Sequence, residues 1–231
     1  MATASATIAP QYQSTTALAR PLIWLLQATI ALNMGAFLAE IHQYYLVGKI
    51  TAGGDWTELE VWLSDGASVL AGYGLVGLFV VTAIVFLMWQ YRRVRNFPAL
   101  GIADGNYSPG WSIGAWFVPF LNLIHGYAVM AELWRSSAAA PAGPWRMGPV
   151  TKLIPAWWLT YLASNIVSSI SSYSMIGFSP NSADYMNRLQ TAIILLMAHY
   201  FLMAVSAVVL LRLIQQLEQR QQERYRTQLF D

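Results

Sequence analysis

The chain has 231 residues, 56% of them hydrophobic and only 10% charged, and a net charge of +2. Soluble domains run at roughly 45–50% and about 25%, so this chain cannot cover itself with polar surface in water and reads as an all-α integral membrane protein. The absence of cysteine excludes disulfides, thiolate metal centres, iron–sulfur clusters and cysteine nucleophiles together.

Residues 1–19 are Ser/Thr/Ala-rich and uncharged and read as an N-terminal tail. The apolar run after Arg20 is about twice the ~7–15 residues of a signal-peptide core, so it is expected to be a retained first span. Four stretches, 22–47, 69–90, 153–178 and 189–211, are almost free of charge and exceed the ~20 residues that cross a hydrocarbon core. Between the first two, the 48–66 loop holds Asp55, Glu58, Glu60 and Asp65 against Lys49, and a short amphipathic outer helix is expected at 56–66.

Residues 108–135 are apolar enough to cross but carry local signals against it. Ser108 and Pro109 fit an N-cap and a first helical position. Pro119 removes an internal hydrogen bond and predicts a kink or break after two or three turns. Beyond it, Asn122, His125, Glu132 and Ser136 fall on one helical stripe, the pattern of an amphipathic or re-entrant interfacial segment. Basic residues, which stay on the cytoplasmic side of short loops, agree. A four-span bundle with both termini inside places all thirteen Lys and Arg there except Lys49 and Arg188, whereas a fifth crossing at 108–135 divides them far more evenly. The tail, 216–231, continues the last span without Gly or Pro and is expected to project as a cytoplasmic helix. Leu210, Leu213, Ile214 and Leu217 form an apolar stripe for a partner. The chain thus divides into a tail (1–19), a membrane domain (20–215) and a helical tail (216–231).

Residues 91–137 resemble the bacterial multi-pass membrane family catalogued as domain of unknown function 4328. The likeness is carried by an Arg-rich span end with Asn96, then Tyr107-Ser108-Pro109-Gly110-Trp111, Gly114, Trp116-Phe117-Val118-Pro119, Asn122 and Trp134-Arg135. It extends more loosely over about 70–215. Where relatives are expected to carry Trp-Arg-Pro-Tyr-Gln, this chain has Ile124-His125-Gly126-Tyr127-Ala128. The resemblance implies a multi-helix domain of the bacterial inner membrane and no reaction.

Polar groups inside spans are site candidates, and Asn33, Asn165 and His199 fall near mid-depth. They read either as a pocket for a small lipophilic ligand or as interhelical hydrogen bonding, worth roughly 0.6 kcal/mol on average. A haem between His42 and His199 is excluded by an offset of roughly 12–15 Å along the membrane normal at ~1.5 Å rise per residue. Only His199, as a single axial ligand, remains for a haem or pigment, and no cofactor other than lipid is expected. Glu40 and His42 would form a proton-responsive pair with Asp65 at the outer end of the first span. Arg92, Arg93 and Arg95 are candidates for anionic lipid or for pairing with Glu132 and Asp104. Trp111, Trp116, Trp134 and Arg135 add an aromatic interface for lipid or partner. No zinc, phosphate-loop or nucleophile-elbow motif is present, so no metal or catalytic residue is expected. The leading expectation is a non-catalytic membrane accessory or scaffold subunit that joins other membrane proteins and binds lipid. The alternatives are a carrier using the mid-membrane residues and a lipid-modifying enzyme with His125 as base beside Glu132.

Overall fold

The structure, a computed structural model, describes residues 11–139, 144–177, 179, 182 and 184–230, with side chains as far as residue 227. The first ten residues of the expected N-terminal tail and the expected end of the third span at 178 lie outside the described residues. Within them the regular structure is helical: α1 (Thr16–Thr51), α2 (Glu58–Arg95), α3 (Pro109–Gly114), α4 (Asn122–Ser136), α5 (Leu153–Ser174) and α6 (Tyr185–Phe230), with 3-10 turns at Pro98–Leu100, Ala115–Phe117 and Trp145–Met147.

Three of these helices, α1, α2 and α6, are long and apolar enough to cross a membrane. Length is not what separates α5 from them, because its 22 residues rise about 33 Å. Its apolar run is diluted by Ser164, Asn165, Ser168, Ser169, Ser171 and Ser172. The expected outer helix at 56–66 is not a separate element. Thr57 and Glu60 form a capping box, in which the Glu60 carboxylate accepts from the Thr57 N–H (2.8 Å) and the Thr57 hydroxyl accepts from the Glu60 N–H (3.2 Å). Two orphan donors are thereby satisfied, and α2 starts here instead of near 69. The Thr-x-x-Glu signal stood in the sequence.

The chain falls into two compact units. The bundle unit comprises residues 23–83 and 155–211. Its core is small: Leu26, Ala36, Leu46 and Val47 of α1, Trp157 and Trp158 of α5, and Ala192, Ile193, Ala204, Ala207 and Leu211 of α6 are buried. Phe37 meets Phe201 at 6.2 Å between ring centroids. The Ser171 hydroxyl donates to the Ala192 carbonyl at 2.9 Å, so small polar residues at the α5–α6 contact let the helices approach closely. On α2 half-buried and exposed positions alternate with a helical period, and Leu70, Tyr73, Val76 and Phe79 are exposed.

The network unit comprises the described residues of 11–22, 84–154 and 212–230. Here α2 ends because Asn96 and Phe97 turn back onto carbonyls of its last turn and Pro98 follows, a common stop. Gly101 then adopts φ +69° and donates its N–H to the Pro98 carbonyl, a left-handed position that suits glycine. The last part of α6 is not a solvated projection. Leu213, Ile214 and Leu217 are fully buried and Gln221 and Arg224 nearly so, so the apolar stripe predicted for a partner packs inside this chain's own unit.

Candidate functional site in the network unit

Arg93 is fully buried, and burying a cation is tolerable only when its donors are met. Its Nη1 donates to Glu218 Oε1 at 2.9 Å and its Nη2 to the Leu217 carbonyl at 2.8 Å. The same carboxylate oxygen accepts from Trp89 Nε1 (2.8 Å) and the Thr15 hydroxyl (2.6 Å), and the guanidinium lies 4.9 Å from the Trp89 ring centroid. Thus the partner of Arg93 is Glu218 on α6, not Glu132 or Asp104. Its neighbours differ. Arg92 is half-buried and reaches the Ser14 carbonyl at 3.5 Å, while Arg95 is exposed. Nearby, Asn96 grips the extended chain at Gln13 through both amide atoms (3.0 and 2.7 Å), and Tyr12 stacks on Tyr225 at 4.2 Å.

Two more arginines of α6 bind the ends of neighbouring segments. Arg224 donates to the Leu100 carbonyl (3.2 and 2.9 Å), to that of Ser136 (2.9 Å) and to that of Ala138 (3.2 Å). Arg220 lies over the half-buried Trp134 ring at 4.2 Å.

Segment 108–135 is broken where Pro119 predicted. Ser108 caps α3 by accepting from the Trp111 N–H at 3.2 Å, with Pro109 in the first turn. After the 3-10 turn, Phe120 takes φ +63°, unusual for a bulky residue, and α4 follows. The polar stripe of α4 faces inward: His125, Glu132 and Ser136 are buried, while Phe117, Val118, Phe120, Leu121, Leu123 and Ile124 are exposed, Phe120 to 82%. His125 uses Nε2–H to donate to the Ser112 carbonyl at 2.8 Å and is walled by Tyr107 (5.1 Å) and Trp116 (5.5 Å). Burial pushes its pKa below the ordinary value, and the bond to the Ser112 carbonyl opposes that shift. Trp111, at the start of α3, is half-exposed.

Next to the polar stripe of α4 a cleft of about 410 Å³ is lined by Asn106, Tyr107, Tyr127, Glu132, Arg135, Trp145 and Arg146 among others. The flanks are tied together. Asp104 accepts from Trp145 Nε1 and Arg146 Nε, both at 2.9 Å, and Arg146 Nη1 donates to Asn106 Oδ1 at 2.8 Å. These bonds, the Trp145 indole first, hold the Asp104 carboxyl below its usual range. Arg135 uses Nε on the Gly148 carbonyl at 3.0 Å. Glu132 is 4% exposed. One of its oxygens accepts from the Asn106 N–H, and the other, Oε2, is buried without a hydrogen bond. Burial raises its pKa, and the Asn106 amide and the Arg146 charge oppose that rise. Tyr107 is raised as well, by burial and then by Glu132. Sequence reasoning had paired Glu132 with His125. The ring is instead engaged by Ser112, and Glu132 faces the cleft.

The mid-membrane candidates lie in the bundle unit. Asn33 is buried but donates to the Thr29 carbonyl of its own helix (2.8 Å). Asn165 is exposed and donates to the Tyr161 carbonyl (2.7 Å). His199 alone links two helices, through Nδ1–H to the Ser164 carbonyl of α5 at 2.9 Å, which occupies one ring nitrogen. Glu40 is buried and His42 exposed, two positions apart on α1, so they do not pair. Asp65 instead accepts from Gln43 at 3.2 Å. No group of three or more His, Asp or Glu side chains that would hold a metal occurs among the described residues.

Neither a curated protein nor a solved structure matches the chain. A family model described as domain of unknown function DUF4328 matches residues 53–219, a stretch that includes Trp89, Arg93, Glu132 and Glu218. The chain belongs to that family.

Proposed function

We propose that the chain is a non-catalytic subunit of a larger membrane assembly, held in the bacterial inner membrane by four spans with both termini in the cytoplasm. The observation that carries the subunit reading is α2. Only 6% of its apolar window is buried within the chain, against 22% for α1 and for α6. Gly66, Gly74 and Gly77 share its outward face with Leu70 and Tyr73, and a Cβ added at any of the three would meet nothing within 4 Å. In lipid, close packing at small residues drives helix association where hydrophobic burial cannot. The occupant we assign to this face is a transmembrane helix of another membrane protein.

The topology draws support from the flanks of segment 108–135. Asp104 and Asn106 before it bond Trp145 and Arg146 after it, as expected for a segment that enters and returns on one side. Its exposed tip, Phe117 to Ile124, would then sit in the inner leaflet, where apolar side chains are favoured and the inward polar stripe is sheltered. The fourth span in this reading is α5.

Because the native chain has no cysteine, Gly74→Cys or Gly77→Cys gives a single reactive position. Crosslinking in native membranes followed by mass spectrometry is expected to join this position to one other membrane protein. A crosslink only between copies of the chain, or none in membranes where the protein is folded, overturns the subunit reading. The carrier reading has less support, since Asn33 and Asn165 are bonded within their own helices. The enzyme reading needs His125 free to act on Glu132 or a substrate, and the ring is enclosed.

A further inference from the structure

We propose that the cleft around Glu132 is a binding site for phosphoethanolamine, a primary ammonium and a phosphate in one small group, presented by a lipid or free in solution. This inference does not depend on the assembly reading.

The argument rests on what the lining residues leave unused. Glu132 Oε2 is buried without a hydrogen bond, and a buried carboxylate oxygen needs a donor. Arg135 employs only Nε and Arg146 only Nε and Nη1, so Nη1 and Nη2 of the first and Nη2 of the second carry no hydrogen bond and can receive an anion. One unbonded carboxyl oxygen therefore lies in a cleft with two tethered cations, Arg146 held by Asp104 and Asn106 and Arg135 by Gly148. A simple anion would leave Glu132 unanswered and a simple cation would face the arginines. A zwitterion answers both. Arginine favours phosphate, which takes parallel N–H bonds. The cationic end must be a primary ammonium, because a trimethylammonium has no N–H to give and its methyl groups keep it from a carboxylate already enclosed by Tyr107 and Asn106. A volume of about 410 Å³ lies within the range of small-ligand sites, roughly 300–1,000 Å³.

The test uses the full chain. Phosphoethanolamine and phosphocholine are titrated into detergent-purified protein, and thermal unfolding is compared in nanodiscs of phosphatidylethanolamine and of phosphatidylcholine. The expected result is preference for the ethanolamine form by about tenfold or more in at least one arm, with Glu132→Gln and Arg135→Gln each lowering that affinity by a similar factor while helical content is kept. Response to the free compound assigns the headgroup itself as sufficient. Response only in nanodiscs assigns the lipid as source. Equal response to the choline and ethanolamine forms, no response in either arm, or unchanged affinity in a folded Glu132→Gln or Arg135→Gln variant overturns the proposal.

Discussion

The two units distribute their polar hydrogen bonds differently. In the bundle unit the hydroxyls and amides of Thr29, Asn33, Thr51, Thr82, Thr160 and Asn165 return to a carbonyl one turn back on their own helix, and Ser171, His199 and Ser206 each make a single bond between α5 and α6. In the network unit several buried polar groups reach far along the chain: Arg93 to a carboxylate 125 residues away, Arg224 to a carbonyl 124 away and Asn96 to the Gln13 carbonyl 83 away. The first arrangement satisfies most groups locally, as an apolar solvent requires, and specifies helix neighbours only through the single bonds between α5 and α6. The second leaves a group satisfied only when the whole unit is assembled, so it selects one tertiary arrangement.

The contrast predicts very unequal sensitivity to substitution. The largest effect is expected at Arg93. Arg93→Met leaves Glu218 partly buried without its cation and should cost about 3–5 kcal/mol, seen as a lowered unfolding temperature by tryptophan fluorescence in mild detergent. The double variant with Glu218→Leu should recover much of that loss, because an apolar pair replaces an ionic one. Arg224→Ala, which removes the guanidinium from the Leu100 and Ser136 carbonyls, should cost about 1–3 kcal/mol and make the last turns of α6 sensitive to protease.

A smaller effect follows pH. Burial raises the Glu132 pKa above its unfolded value of 4.5, so its contribution is complete below that value and is lost as pH rises through the folded pKa. His125 runs the other way. Its pKa is depressed below 6.5 by burial, so its contribution is present above 6.5 and is lost as pH falls through the folded value. The two contributions oppose one another between pH 4.5 and 6.5, so melting temperature should rise more steeply with pH across that window in Glu132→Gln than in the native chain. The smallest effects belong to the bundle unit. His199→Leu should cost roughly 0.6 kcal/mol, and Asn165→Leu, at an exposed position, should change stability by no more than about 0.5 kcal/mol. A large loss at Asn165 would break the comparison.

Much of the helical plan was legible because its signals are local. Ser108 and Pro109 announce α3, Pro119 ends its run, and the unbroken Gln- and Arg-rich stretch continues α6. The capping box at Thr57 and Glu60 was equally local, and reading it would have merged the expected outer helix into α2. The illegible parts depend on distance or on facing. A stripe of Asn122, His125, Glu132 and Ser136 defines one side of α4 but not whether that side looks in or out, and it looks in. The arginine cluster at 92–95 predicted cationic chemistry without revealing that Arg93 alone turns inward, since Glu218 lies in a helix whose docking no nearby residue signals. The free oxygen of Glu132 was invisible for the same reason: it follows from what Asn106 and Arg146 do to the cleft.

The account turns on the return of segment 108–135 to the side it left, which keeps Asp104 beside Arg146 and the end of α6 in the same unit. Single cysteines at Ala103, Met147 and Glu223, all exposed, test it directly in the otherwise cysteine-free chain. A membrane-impermeant maleimide is predicted to label all three in inside-out vesicles and none in intact cells. Labelling of Met147→Cys from outside while Ala103→Cys stays protected would mean that the segment crosses the bilayer, and would contradict the account.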